Sequence, residues 1–155
     1  MSDDPAPAGP IVVGVDGSEP SRQALRWARA LADSSGLRVD AIATWAMPVT
    51  AGGLGWVDVP SDWDRTQEIT AMLDHTLAEV FGVDQPQNLR PLVRHGLASE
   101  VLLEASKGAY MVVVGNRGHG GFTGMLLGSV SAACTERAAC PVVVVRGDTP
   151  LPPTR

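Results

Sequence analysis

The sequence has no excess of basic charge, few cysteines and no long apolar run, and each shortage removes a class of function. Twelve Lys and Arg against 17 Asp and Glu leave a formal net charge of −5 over 155 residues. A chain built to hold nucleic acid or an anionic membrane surface usually draws a basic patch, and no cluster of Lys and Arg occurs here. Neither partner is expected. No apolar stretch approaches the roughly 18 residues that a membrane span requires. The opening residues MSDDPAPAG carry acids where a secretory leader carries basic residues, so a cytoplasmic location is expected. The two cysteines, Cys134 and Cys140, form neither a CxxC pair nor part of a zinc set, and are expected to be reduced in that compartment.

Familiar catalytic strings are missing as well. A Walker loop needs GxxxxGK[ST], and neither Gly-Lys-Ser nor Gly-Lys-Thr occurs in the chain. There is no GxSxG elbow, no HExxH, no HxGH and no SGGxDS, and neither cysteine has an obvious histidine partner. A dinucleotide fingerprint GxGxxG begun at Gly118 reaches Gly120 but then meets Thr123, with the next glycine one residue late. Beyond Asp16 the sequence offers little that could act as a base or nucleophile. Binding without fast turnover is the expectation.

What is present is a hydrophobic content of 45% with 19% charged residues, ordinary for a globular chain. The length suits one domain, expected over residues 10–146, between Pro-rich tails at 1–9 and 147–155 that are expected to be mobile. Continuous apolar runs at Ile11 to Val15, Val39 to Ala46, Tyr110 to Val114 and Pro141 to Val145 read as strands covered on both faces. Leu89 to Arg94 is a further strand, with Pro91 marking an edge or a strand start. Between them, helical spacing predicts helices at Ser18 to Ser35, Asp62 to Phe81, Ser99 to Ser106 and Ser129 to Ala138. Residues 47–61 read as a long surface loop whose Trp56 either packs on the domain surface, the favoured reading, or serves as an apolar handle over a ligand, and His75 as a solvated helix histidine. This βαβαβαβαβ alternation predicts an α/β fold, a single-domain open five-stranded parallel sheet in the order 3-2-1-4-5 with helices on both faces, Rossmann-like. In that order Asp16, after the first strand, and Gly115, after the fourth, flank one crevice.

The stretch Tyr110 to Ser131 crowds Gly115, Gly118, Gly120, Gly121, Gly124 and Gly128 between a strand and the helix that starts at Ser129. A sharp turn of this kind is expected to need residues able to take positive φ, and amides presented at a helix N-terminus form an anion site. The spacing that holds is Gly115-x2-Gly118-x9-Gly128-Ser129. With the opening VVGVDGSEPSRQAL, the phrase RHGLASEVLLEAS and the closing CPVVVV, it resembles the universal stress protein family, in the subgroup whose G-2x-G-9x-G-[ST] motif binds ATP. The resemblance runs over roughly Pro10 to Arg146. It implies Asp16 near the ribose, the phosphates or their Mg²⁺, Thr44 beside the adenine, and Gly115 facing the ribose and phosphates. Gly118, Gly128 and Ser129 would wrap the phosphates, with Val130 and Ser131 adding contacts at the helix start. Asn116 stands where the family often carries a small hydroxyl residue.

The resemblance also implies a homodimer through the strand Pro141 to Val145, in keeping with the hazard of leaving so apolar an edge unpaired. The leading expectation is an ATP-binding stress regulator or sensor whose nucleotide alters its shape or its regulatory protein partner. The alternatives are an AMP- or cAMP-binding protein, a slow Mg²⁺-dependent ATP hydrolase using Asp16, and a dimeric scaffold with a vestigial pocket.

Overall fold

Strands and helices alternate along the chain in the computed structural model, which describes residues 8–47, 60, 62–118 and 126–153. They are β1 (Ile11–Gly14), α1 (Glu19–Ser35), β2 (Val39–Trp45), α2 (Thr66–Phe81), β3 (Leu89–His95), α3 (Ala98–Ser106), β4 (Met111–Gly115), α4 (Ser129–Arg137) and β5 (Val142–Val145). All strand pairs are parallel and the sheet order is β3-β2-β1-β4-β5, the order that the alternation predicts. No helix among the described residues is long and apolar enough to cross a membrane.

The continuous apolar strands are explained by two cores. Ile11, Val13, Ala41, Ala43 and Val113 pack with Leu25, Ala28, Leu73 and Leu77 of α1 and α2. The residues between them, Val12, Ile42, Val112 and Val114, pack with Leu102 of α3 and Cys134 of α4. A strand covered on both faces has no reason to alternate with polar residues. Pro91 lies on β3, at the edge of the sheet, where its missing donor is tolerated.

Helix ends follow local chemistry. Ser18 caps α1 by accepting a hydrogen bond from the Ser21 N–H at 3.4 Å, and Gly36 ends the helix at φ 72° with its N–H on the Ala32 carbonyl. The expected start of α2 at Asp62 is corrected to Thr66: Trp63 is held in a turn by Pro60, and the Asp64 carboxylate takes the Thr66 N–H at 2.8 Å. An acid that accepts from the backbone two residues on favours a turn over the next helical residue. The expected loop at 47–61, with Trp56, lies outside the described residues apart from Met47 and Pro60. At the other end of the chain, the Arg146 N–H donates to Thr149 Oγ1, and the Thr149 carbonyl accepts from the Gln23 side chain, laying the segment after β5 against α1.

One charge sits within the apolar run of β2. The Asp40 side chain is 6% exposed and is gripped by Arg38 (Nε, 2.8 Å) and Arg90 (NH2, 2.7 Å), the latter from β3. Burial, the largest single influence, pushes the Asp40 carboxyl up, but the hydrogen bonds from Arg38 and Arg90 outweigh it and hold it below the usual carboxylate range. Because the folded value is the depressed one, the stabilisation is complete above the unfolded pKa of about 3.9 and fades as pH falls through the folded value. Asp40→Asn is expected to cost about 2 kcal/mol in urea unfolding at pH 7, the scale of hydrogen bonds to a charged group. The gap between wild type and variant should close below about pH 4; a gap independent of pH would show that the charge is not what matters.

Candidate functional site

Strand order reverses between β1 and β4, and there the C-terminal ends of the strands part around a cavity of about 530 Å³. Crevices at this point are where doubly wound sheets hold ligands. One wall follows β1. The Val15 N–H still pairs with the Ile42 carbonyl at 2.9 Å, Asp16 comes next, Gly17 turns at φ 81°, and Ser18 begins the cap of α1. Asp16 Oδ1 accepts from the Ser18 N–H at 2.9 Å and from the Ser18 hydroxyl, while the Asp16 N–H donates to Ser21 Oγ at 3.4 Å. The carboxylate is thereby fixed in the turn.

The opposite wall follows β4. The Asn116 N–H continues the ladder to the Val145 carbonyl at 2.8 Å. Its own carbonyl accepts from the Gly128 N–H at 2.7 Å and from the Ser131 hydroxyl at 3.1 Å. This ties the two ends of the glycine-rich segment together. The Ser131 side chain, 2% exposed, also lies 3.1 Å from the Gly128 carbonyl, so its hydroxyl proton is committed to the protein.

Helix α4 then begins without a side-chain cap. Its N-cap is Gly128, which has no side chain to offer, and the first described amide with a partner inside the helix is that of Ala132, on the Gly128 carbonyl at 3.0 Å. The amides of Ser129, Val130 and Ser131 are the orphan donors of the first turn, carrying the partial positive charge of the helix end. Helix α1, in contrast, meets one of its orphan amides with Ser18.

Much of the remaining lining is apolar: Ile42 from β2, Ile69 and Met72 from α2, Ala98 and Leu102 from α3, and Val114 from β4, with Thr44, Arg65 and Arg117 as its polar members. The cavity combines apolar side chains with a rim of main-chain amides at the start of α4. Such a lining can hold a flat ring against the apolar side chains and wrap an anion with the amides.

Every residue put forward from the sequence lines this cavity: Asp16, Thr44, Gly115, Gly118, Gly128, Ser129, Val130 and Ser131. The expected reason for the glycines is corrected, however. Gly115, Gly118 and Gly128 do not adopt positive φ; space, not backbone conformation, accounts for two of them. A Cβ on Gly115 would stand 2.6 Å from Pro20 Cβ, and one on Gly118 would strike Asp16 Oδ2. Gly120, Gly121, Gly124, His119 and Met125 lie outside the described residues.

Sequence reasoning missed Ile69, Met72, Ala98 and Leu102, because an apolar ligand wall and a core-facing stripe have the same periodicity. It also passed over Arg65, and it set Arg117 between reaching the phosphates and simple exposure to solvent; Arg117 lines the cavity. Arg65 pairs with Glu68, whose carboxyl is held below its usual range chiefly by that hydrogen bond. Among the described residues no three or more His, Cys, Asp or Glu converge as a metal-binding group. Asp16 could help hold a divalent cation together with oxygens from a ligand, as Mg²⁺ commonly is with phosphates.

A universal stress protein of Mycolicibacterium smegmatis is 33% identical over 141 residues, covering 89% of this chain and 48% of that protein. One from Mycobacterium tuberculosis strain H37Rv is 36% identical over 148 residues, covering 88% and 45%. The chain thus spans about half the length of these relatives. Among solved structures, a universal stress protein in complex with cAMP superposes with a TM-score of 0.67 at 23% identity, covering 92% of this chain and all of that one. The Archaeoglobus fulgidus universal stress protein in complex with dAMP superposes at 0.58 and 22% identity, covering 88% and 97%. The profile of the universal stress protein family matches residues 8–146, and the chain belongs to that family.

Proposed function

We propose that the chain binds an adenine nucleotide, ATP in the first instance, and works as a stress-response regulator whose bound nucleotide alters its conformation or its partners. The observation that carries this reading is the uncapped N-terminus of α4 together with apolar side chains in one crevice. The orphan amides of Ser129, Val130 and Ser131, with Gly115, Gly118 and Gly128 admitting the main chain, would wrap the phosphates. Thr44, Ile42 and Met72 would bracket the base. Asp16 would hold Mg²⁺ jointly with phosphate oxygens. Its placement alone supplies neither a nucleophile nor a general base aimed at a phosphorus atom, so binding without rapid turnover fits better than catalysis.

Two structural neighbours carry monophosphates, cAMP and dAMP, and this favours AMP or cAMP as the second reading. Isothermal titration of the purified chain with ATP, AMP and cAMP separates the two. Saturable ATP binding that AMP and cAMP displace only at higher concentration is the expected result. No saturable binding at millimolar nucleotide would end both readings, and preferential binding of a monophosphate would leave only the second.

The same reading places the protein in the cytoplasm and pairs it with a second copy through β5, whose outer edge lies at the end of the sheet. Sedimentation at micromolar concentration is expected to give a dimer, and a strictly monomeric species would count against the pairing.

A further inference from the structure

Arg117 is the cation that the proposed function leaves idle. It stands between Asn116, whose carbonyl closes the base of the glycine segment, and Gly118, which faces Asp16. Its main chain abuts the start of α4: a Cβ on Gly128 would lie 3.5 Å from Arg117 Cα. Its Nε is buried and has no hydrogen-bond partner among the described residues. A buried donor left unpaired costs about 1–3 kcal/mol, so an arginine in this state next to an anion site has donor capacity that no described residue meets.

The position of Arg117 bears on which part of a ligand could meet it. Arg117 lines the crevice and also a smaller cavity of about 280 Å³ outside it, shared with Arg146 and Asp148. It is therefore at the wall that the crevice shares with this second cavity. The charges add to this. Asp16 places a carboxylate on the facing wall and Arg65 is neutralised by Glu68, so of the two arginines lining the crevice only Arg117 has no acidic partner among the described residues. Each further phosphate adds negative charge that the α4 amides, acting within the first helical turn, meet only at close range.

Resting on the adenine-nucleotide reading, we propose that Arg117 is the specificity-determining residue that makes this crevice prefer a ligand with a chain of phosphates over one with a single phosphate. The guanidinium fork offers donors matched to phosphate oxygens, and each added phosphate brings further oxygens and negative charge for it to meet.

The test is isothermal titration of wild type, Arg117→Ala and Arg117→Lys with ATP and with AMP, with thermal unfolding of each variant as a check on folding. Wild type is expected to bind ATP more tightly than AMP. Arg117→Ala should weaken ATP by about tenfold, the effect of losing a charge-assisted hydrogen bond, and change AMP by less than about twofold. Arg117→Lys, keeping the charge without the fork, should recover part of the ATP affinity. Equal losses for both nucleotides would mean that Arg117 merely shapes the segment, and would overturn the proposal, as would an ATP affinity untouched by Arg117→Ala. A wild type that binds both nucleotides equally would overturn it too, while leaving the nucleotide reading intact. A wild type that binds neither would remove that reading and this inference together.

Discussion

Replacing Gly128 with valine is expected to raise the Kd for ATP by about a hundredfold or more while leaving a folded protein. Gly128 is the N-cap of α4 and the gate to its orphan amides. Losing close approach to these amides removes charge-assisted hydrogen bonds worth about 1.5–3 kcal/mol each, and each 1.4 kcal/mol is about tenfold in affinity. The fold, in contrast, has room: a Cβ here meets Arg117 Cα at 3.5 Å and the Asn116 carbonyl at 3.6 Å, both ordinary contacts, and φ is −72°. Loss of a good N-cap residue costs about 1 kcal/mol, or roughly 2–4 °C in the unfolding midpoint of a chain this long. Gly128→Ala should be intermediate in affinity and close to wild type in stability. If Gly128→Val bound ATP normally, the start of α4 would not be where the phosphates sit.

Gly115, in the same motif, is expected to behave in the opposite way. A Cβ there would lie 2.6 Å from Pro20 Cβ and 2.8 Å from the Pro20 carbonyl carbon. One of those atoms is main chain and the other belongs to a rigid ring in the first turn of α1, so neither can swing aside. Overpacking of this kind costs about 1–3 kcal/mol, and Gly115→Ala is expected near the upper end, measured by urea unfolding without any nucleotide present. An unchanged midpoint would show that α1 does not press on β4 as closely as described. The two variants would divide the motif by cause: Gly115 is glycine because of the space the fold leaves it, and Gly128, on the proposed reading, because phosphates come near it.

That division could not be read from the sequence, where both are glycines at the right spacing. The architecture could be, since it rests on local signals that agree with one another: apolar runs too continuous for half-exposed strands, Ser18 before α1 and Gly36 after it. The element order leaves few topologies for a parallel sheet with right-handed crossovers. The glycine part of the crevice was legible because its spacing is written in adjacent sequence. The apolar lining was not, because Met72 and Leu102 come from helices far apart in the chain and their spacing also satisfies a core stripe. Asp40 was likewise invisible as a buried charge, since one of its partners, Arg90, is on another strand. The start of α2 was misplaced for the reverse reason, as a local hydrogen bond from Thr66 to Asp64 overrode a helical pattern extended too far upstream.

The bond between the Asn116 carbonyl and the Gly128 amide has a thermodynamic consequence. The fold brings the two ends of the glycine-rich segment to hydrogen-bonding distance, and the Ser131 hydroxyl reinforces the junction. The entropic cost of closing a flexible loop grows only slowly with its length. Once that closure belongs to the fold, a ligand need not supply it, and binding enthalpy is less eroded by ordering. The hydrogen bond thus sets the distance between the start of α4 and the end of β4 at the base of the segment.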